Sequence, residues 1–162
     1  MILESPAQLR ALLEAARTVA IVGASSNPLR PSYTVLSYLR TRSPYDVVAI
    51  NPALTQIDGL AAYPSLAAYA TQRGAPDLVD VFRKPGELVA VVADAIAAGA
   101  RAIWFQYGVV NPEAIARADE AGLSVVVDRC VKVEYARLHG GLATAGLNSG
   151  LITSRRARLD LS

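Results

Sequence analysis

The stretch Thr18-Val19-Ala20-Ile21-Val22-Gly23-Ala24-Ser25 decides the fold. Its apolar run does not alternate with polar residues, which predicts a strand buried on both faces, the kind found in parallel sheets. Gly23 ends the run and lets the chain turn sharply and lets a ligand approach the backbone closely. The loop continues as Ser26-Asn27-Pro28-Leu29-Arg30-Pro31-Ser32, and from Tyr33 to about Arg42 the spacing of Val35, Leu36 and Leu39 predicts a helix. Strand, glycine loop and helix in that order make one half of a βαβ unit.

Working outward, Ser5-Pro6-Ala7-Gln8 combines a capping serine, proline at the first helical position and glutamine three residues after the cap. It predicts a helix to about Ala16. Downstream, strands are expected at Asp46–Ile50, Leu78–Phe82, Ala102–Phe105 and Ser124–Val127. Helices are expected at Glu87–Ala98, from Asn111-Pro112 to about Ala121, and from Cys130 to about Leu138. Between the second and third strands, Ile57–Tyr63 reads as a short extension or loop and Ser65–Ala70 as a short helix. This alternation predicts a single α/β domain, a Rossmann-like open parallel sheet of five strands with helices on both faces. Residues 1–138 form that domain, and from His139 the glycines at 140, 141, 146 and 150 mark residues 139–162 as a small-residue, mobile or loosely packed tail.

Composition narrows the function. Hydrophobic residues are 52% and charged residues 19% of the 162, so the chain is globular. A net charge of +2 without a clustered basic face argues against nucleic acid. The apolar stretch from Leu88 to Phe105 is broken by Asp94, Gly99 and Arg101, which argues against a membrane span. One cysteine cannot form an internal disulfide, and Glu4 and Pro6 interrupt any leader-like run, so a cytoplasmic setting is expected.

In an open parallel sheet, ligands sit beyond the carboxyl ends of the strands where strand order reverses. The segments placed there are Gly23–Ser32, Asn51–Pro52, Phe82–Pro85, Gln106–Asn111 and Asp128–Lys132, and each puts polar, glycine or basic residues directly after an apolar strand. The serines of the first loop supply hydroxyl donors, the next helix offers its N-terminal amides, and Arg30 adds a fixed charge, a set that suits phosphate. A dinucleotide fingerprint wants G-x-G-x-x-G and an acid about 20 residues on. Here Ser25 and Pro28 occupy the second and third glycine positions, and the second strand ends in Asn51-Pro52, so NAD chemistry is disfavoured. A P-loop is absent.

The chain resembles the small stand-alone CoA-binding proteins of bacteria and archaea, which are similar in turn to the CoA-binding domain of the succinyl-CoA synthetase α subunit. The matching pieces are Val19–Ser25, Asn51-Pro52, Val81-Phe82-Arg83, Trp104-Phe105-Gln106-Tyr107-Gly108 and Asp128-Arg129-Cys130, in the family's order from about Ser5 to Leu138. The resemblance implies a Rossmann-like domain holding coenzyme A, with Gly23, Ala24, Ser25, Pro28 and Arg30 on the phosphates, Arg30 standing where many members carry lysine. It implies Asn51, Pro52, Phe82 and Arg83 flanking the adenosine, and Gln106, Gly108 and Val109 near the pantetheine arm. Ser32 and Cys130 complete the candidate set, with Lys84 and Lys132 as further cations. The expected ligand is CoA or an acyl-CoA, and self-association into a homo-oligomer is left open.

No nucleophile–base pair stands out, so the expectation is a binding module without catalytic residues. The alternatives are a nucleotide-dependent enzyme or separate acyl-CoA ligase subunit, an NAD(P)-binding protein, or an interaction protein that has lost its ligand. Cys130, beside Arg129 and Lys132 near a helix start, is read either as a thiol of lowered pKa able to form a mixed disulfide with CoA or as a packing residue. Trp104 and Phe105 are read as core, and His139, the single histidine, as solvent-facing or capping. Asp128 is expected to position Arg129 or to hold a ligand amide.

Overall fold

The computed structural model describes residues 1–139 as one α/β domain. Its helices are α1 (Pro6–Ala15), α2 (Pro31–Arg42), α3 (Leu66–Arg73), α4 (Leu88–Ala97), α5 (Pro112–Glu120) and α6 (Val131–His139). Its strands are β1 (Thr18–Val22), β2 (Asp46–Ile50), β3 (Gln56–Ile57), β4 (Leu60–Tyr63), β5 (Leu78–Val81), β6 (Ala102–Phe105) and β7 (Ser124–Val126), and a 3-10 turn at Pro85–Glu87 precedes α4. The tail expected at 139–162 lies, beyond His139, outside the described residues.

The sheet has seven strands, not five, in the order β3-β4-β2-β1-β5-β6-β7. The five expected strands are all present and parallel. The two additional ones form a hairpin, β3 antiparallel to β4, which extends the sheet beyond β2. Its turn is Asp58-Gly59, both at positive φ (48° and 79°), as a two-residue type I′ turn requires. An Asp-Gly dipeptide between short apolar segments is the sequence signal that marks this hairpin.

Each strand feeds two cores, because successive side chains point to opposite faces. On one face Val19, Ile21, Val47, Ala49, Leu78 and Trp104 pack under Leu9, Leu13, Leu36, Leu39 and Val131 of α1, α2 and α6. On the other, Ala20, Val22, Val79, Val81, Ile103 and Phe105 meet Tyr69, Leu88, Val92 and Ala114 of α3, α4 and α5. Asp80 falls between Val79 and Val81 and so joins the first face. Trp104 is fully buried, with its indole N–H donating to the Arg129 carbonyl at 2.7 Å, as expected for a core tryptophan.

The capping signals work as read. Ser5 and Gln8 form a reciprocal capping box at α1, and Ser65 and Asn111 cap α3 and α5. Helix α2 differs: its N-cap is Arg30, with no side-chain hydrogen bond to the first-turn amides. Among the described residues no helix is long and apolar enough to cross a membrane.

Candidate functional site

From β1 the chain goes one way to β2 and β4 and, after crossing back to β5, the other way to β6 and β7. The switch point therefore lies between β1 and β5. A cleft of about 1240 Å³ opens there at the carboxyl ends of the strands. That exceeds the ~300–1,000 Å³ of pockets for drug-sized molecules and suits a longer ligand. A smaller depression of about 340 Å³ lies at the opposite end, walled by Leu3, Leu12, Ala15 and Ala16 with Asp77 and Arg101.

Gly23 is demanded by the protein itself as much as by any ligand. It has φ +81°, and a Cβ added there would lie 2.2 Å from the Phe82 carbonyl oxygen. Its amide donates to the Ile50 carbonyl at 3.2 Å, while the Phe82 amide donates to Val22 at 2.8 Å, so one glycine lets β1, β2 and β5 converge at the cleft floor. The loop beyond is self-braced. Ser25 Oγ accepts from the Asn27 amide at 3.0 Å, and Asn27 Oδ1 from the Leu29 amide at 3.0 Å. Ser25 thus keeps its hydroxyl proton for another acceptor.

Asn51 is already committed to the loop. Its Nδ2 donates to the Ala24 carbonyl at 2.8 Å and its Oδ1 accepts from Ala53 at 2.7 Å, so it ties the β2 end to the first loop. Arg83 reaches over Gly23 and pairs with Glu87 at 2.7 Å, both side chains being substantially exposed. Exposed i,i+4 pairs are weak, so the pair holds the guanidinium only loosely. Arg30 is exposed and forms no ion pair among the described residues. It stands at the uncapped start of α2, where Ser32 is buried against the cleft.

At the β6 end Gln106 is buried, and its Nε2 donates to Asp80 Oδ1. Asp80 is fully buried, and desolvation pushes its carboxyl up to about 7 even though Gln106 opposes the shift. Asp128 has φ 56° and accepts from the Gly108 amide at 2.8 Å. It braces the β6–α5 loop, a role not foreseen in the sequence.

Cys130 departs from the lowered-pKa reading and fits the packing one. It lines the cleft, and the amides of Val133 and Lys132 and the Lys132 charge do pull its pKa down. Burial outweighs them and holds the thiol above its ordinary value, with the charge of Asp80 adding to the rise. Lys132 and the helix start act as read, but Arg129 pairs with Glu134, and the dielectric around the sulfur was not legible from neighbours in sequence. His139 sits at the end of α6, 3.3 Å from Glu14 and stacked on Tyr135.

Of the candidate residues, Gly23, Ala24, Ser25, Arg30, Ser32, Asn51, Pro52, Phe82, Arg83, Gln106, Val109 and Cys130 line the cleft together, with Lys84. Pro28 and Gly108 do not: Pro28 lies on the exposed crest of the first loop, and Gly108 turns its amide to Asp128. Lys132 is directed over the Tyr38 ring at 5.5 Å instead. The sequence reading missed Pro64 and Ser65, brought in by the β3–β4 extension, and Glu87 and Asp94 on the far rim. Pro64-Ser65 follows β4 as Asn51-Pro52 follows β2, so recognising the hairpin would have found it. Among the described residues no cluster of His, Cys, Asp and Glu is placed to hold a metal.

Comparison with known proteins agrees with this geometry. The chain is 32% identical over 132 residues to the uncharacterized protein YneT of Bacillus subtilis, covering 82% of this chain and 95% of that protein. A hypothetical protein from Pyrococcus horikoshii OT3 superposes with a TM-score of 0.77 at 37% identity, covering 83% of this chain and 92% of its own. A Thermus thermophilus protein, cell-free ID.343, gives 0.76 at 36% identity, covering 83% and 98%. The family model of the CoA binding domain matches residues 17–136, the whole of the sheet that carries the cleft, and the chain therefore belongs to the CoA-binding domain family.

Proposed function

We propose that the cleft binds coenzyme A or an acyl-CoA, with the diphosphate at the first loop and the start of α2 and the pantetheine arm running toward Gln106, Val109 and Cys130. The observation that carries this reading is the start of α2: among the described residues its amides have no side-chain cap and its N-cap, Arg30, forms no ion pair, and it opens into a large cleft at the topological switch point. Helix amides without a side-chain cap favour an anion, and a fixed guanidinium adds a charge-assisted bond. The Ser25 hydroxyl and the weakly paired Arg83 extend the same surface toward a second phosphate. CoA suits this set because it carries a diphosphate and a separate 3′-phosphate on a long, partly apolar arm. Family membership supports the ligand class.

The role is that of a binding module. Burial pushes the cleft thiol, Cys130, above its ordinary pKa, which does not favour a thiolate nucleophile. The experiment is Arg30→Ala followed by calorimetric titration with CoA. Losing one charge-assisted bond of roughly 1.5–3 kcal/mol weakens binding about tenfold to a hundredfold. An unchanged affinity sinks the assignment of Arg30 and the phosphate site with it.

A further inference from the structure

Among the described residues, Asp80 Oδ2 is a buried side-chain oxygen with no hydrogen-bond partner. Such a group is costly where an apolar side chain would pack, since a buried polar atom without a partner forfeits its hydration. Its other oxygen has a single side-chain partner, Nε2 of Gln106, and Gln106 is part of the cleft wall. The carboxyl thus lies one side chain behind the ligand surface.

The chemistry of that pair couples a charge to an orientation. A carboxylate can only accept, so it draws the amide NH2 of Gln106 toward the sheet and leaves the carbonyl oxygen to face a ligand. A protonated carboxyl can donate its O–H to the amide oxygen, and the reversed amide then presents its NH2 instead. We propose that Asp80 is a positioning residue that sets, through Gln106, whether the cleft offers its ligand a carbonyl acceptor or an amide donor. The ligand chemistry read in the deprotonated state is an N–H group, such as the amides of the CoA arm; naming CoA rests on the reading of the cleft given above. The burial that pushes Asp80 up to about 7 brings the exchange to neutral pH.

The surroundings leave Asp80 in control of this equilibrium. Its register neighbours, Ile21 on β1 and Trp104 on β6, carry no charge. From the α6 side the ionisable neighbour is Cys130, whose raised pKa keeps it a neutral thiol in this range. Of the charges of that segment, Arg129 and Arg137 share the carboxylate of Glu134, and Lys132 is directed over the Tyr38 ring.

The test has two arms on the intact protein, both between about pH 5.5 and 8.5, either side of the Asp80 value of about 7. Without ligand, NMR follows the Asp80 carboxyl carbon and the Gln106 side-chain amide. The expected result is one shared midpoint, with the Gln106 transition abolished in Asp80→Asn. A Gln106 amide that does not move while Asp80 titrates overturns the proposal, as does one that moves unchanged in the variant. Calorimetry with CoA then compares wild type, Asp80→Asn and Gln106→Leu, the last retaining Asp80 should the first fold poorly. Wild-type affinity is expected to rise with pH about threefold to tenfold more than that of either variant, the worth of one hydrogen bond. Parallel pH profiles overturn the proposal, whereas absence of CoA binding at every pH defeats the reading of the ligand and leaves the NMR arm to decide this one.

Discussion

At the amino end of the sheet, Asp77 accepts from the Arg17 and Thr18 amides at 2.9 and 3.1 Å, receives the Thr18 hydroxyl, and lies 3.7 Å from Arg101. Three residues on, inside β5, Asp80 has one side-chain partner and, among the described residues, an oxygen with none. Burial raises both carboxyls, but at Asp77 the amides, the hydroxyl and Arg101 outweigh it and bring the pKa below its ordinary value. At Asp80 burial prevails. Asp77 is used to close the chain, while Asp80 stays incompletely partnered behind the cleft wall among the described residues. The two carboxyls lie three residues apart, one just before β5 and one within it.

The two aspartates give opposite linkage to pH. A folded-state pKa above the unfolded one means the native state holds more protons, so Asp80 contributes stability below about pH 4 that is lost as pH rises through about 7. Asp80→Asn should remove that slope. Three units at 1.36 kcal/mol each make the wild-type loss on the order of 4 kcal/mol relative to the variant, read from urea unfolding at stepped pH. Equal slopes would break the contrast.

The next largest effect is expected where the strand ends converge. Gly23→Ala places a Cβ 2.2 Å from the Phe82 carbonyl at φ +81°, so strain and displacement combine. A loss of about 3 kcal/mol is expected in the same urea assay, and a variant as stable as wild type would show that the β1 and β5 ends are not held as described. A smaller loss, about 2 kcal/mol, is expected for Asp77→Ala, which leaves two backbone donors unpaired. Its sign with pH is the reverse of Asp80: the depressed pKa gives stability above the ordinary carboxylate range that is lost as pH falls through the folded value. A wild-type advantage that grows toward acid pH would remove Asp77 from this comparison.

Much of this was legible in sequence. Largely apolar runs between capping signals, broken in β5 by Asp80, located β1, β2, β5, β6 and β7 within a residue or two, because parallel strands are buried on both faces and carry little alternation to confuse. The hairpin was not, since Leu60-Ala61-Ala62-Tyr63 lacks β-branched residues and only its Asp58-Gly59 turn declares it. Most site residues followed from their place at strand ends. What sequence could not give was partnership and dielectric: that Asn51 is tied to Ala24, that Gly108 turns to Asp128, that the Cys130 thiol is buried, and that Asp80, one of four residues in an apolar strand, stands behind Gln106.

The central claim, that the carboxyl-end cleft holds CoA, is tested most directly by calorimetric titration of the purified protein with CoA and, in parallel, with NAD. The account predicts saturable one-to-one binding of CoA, weakened when the 3′-phosphate is removed, and no heat with NAD. Binding of NAD without CoA would contradict it.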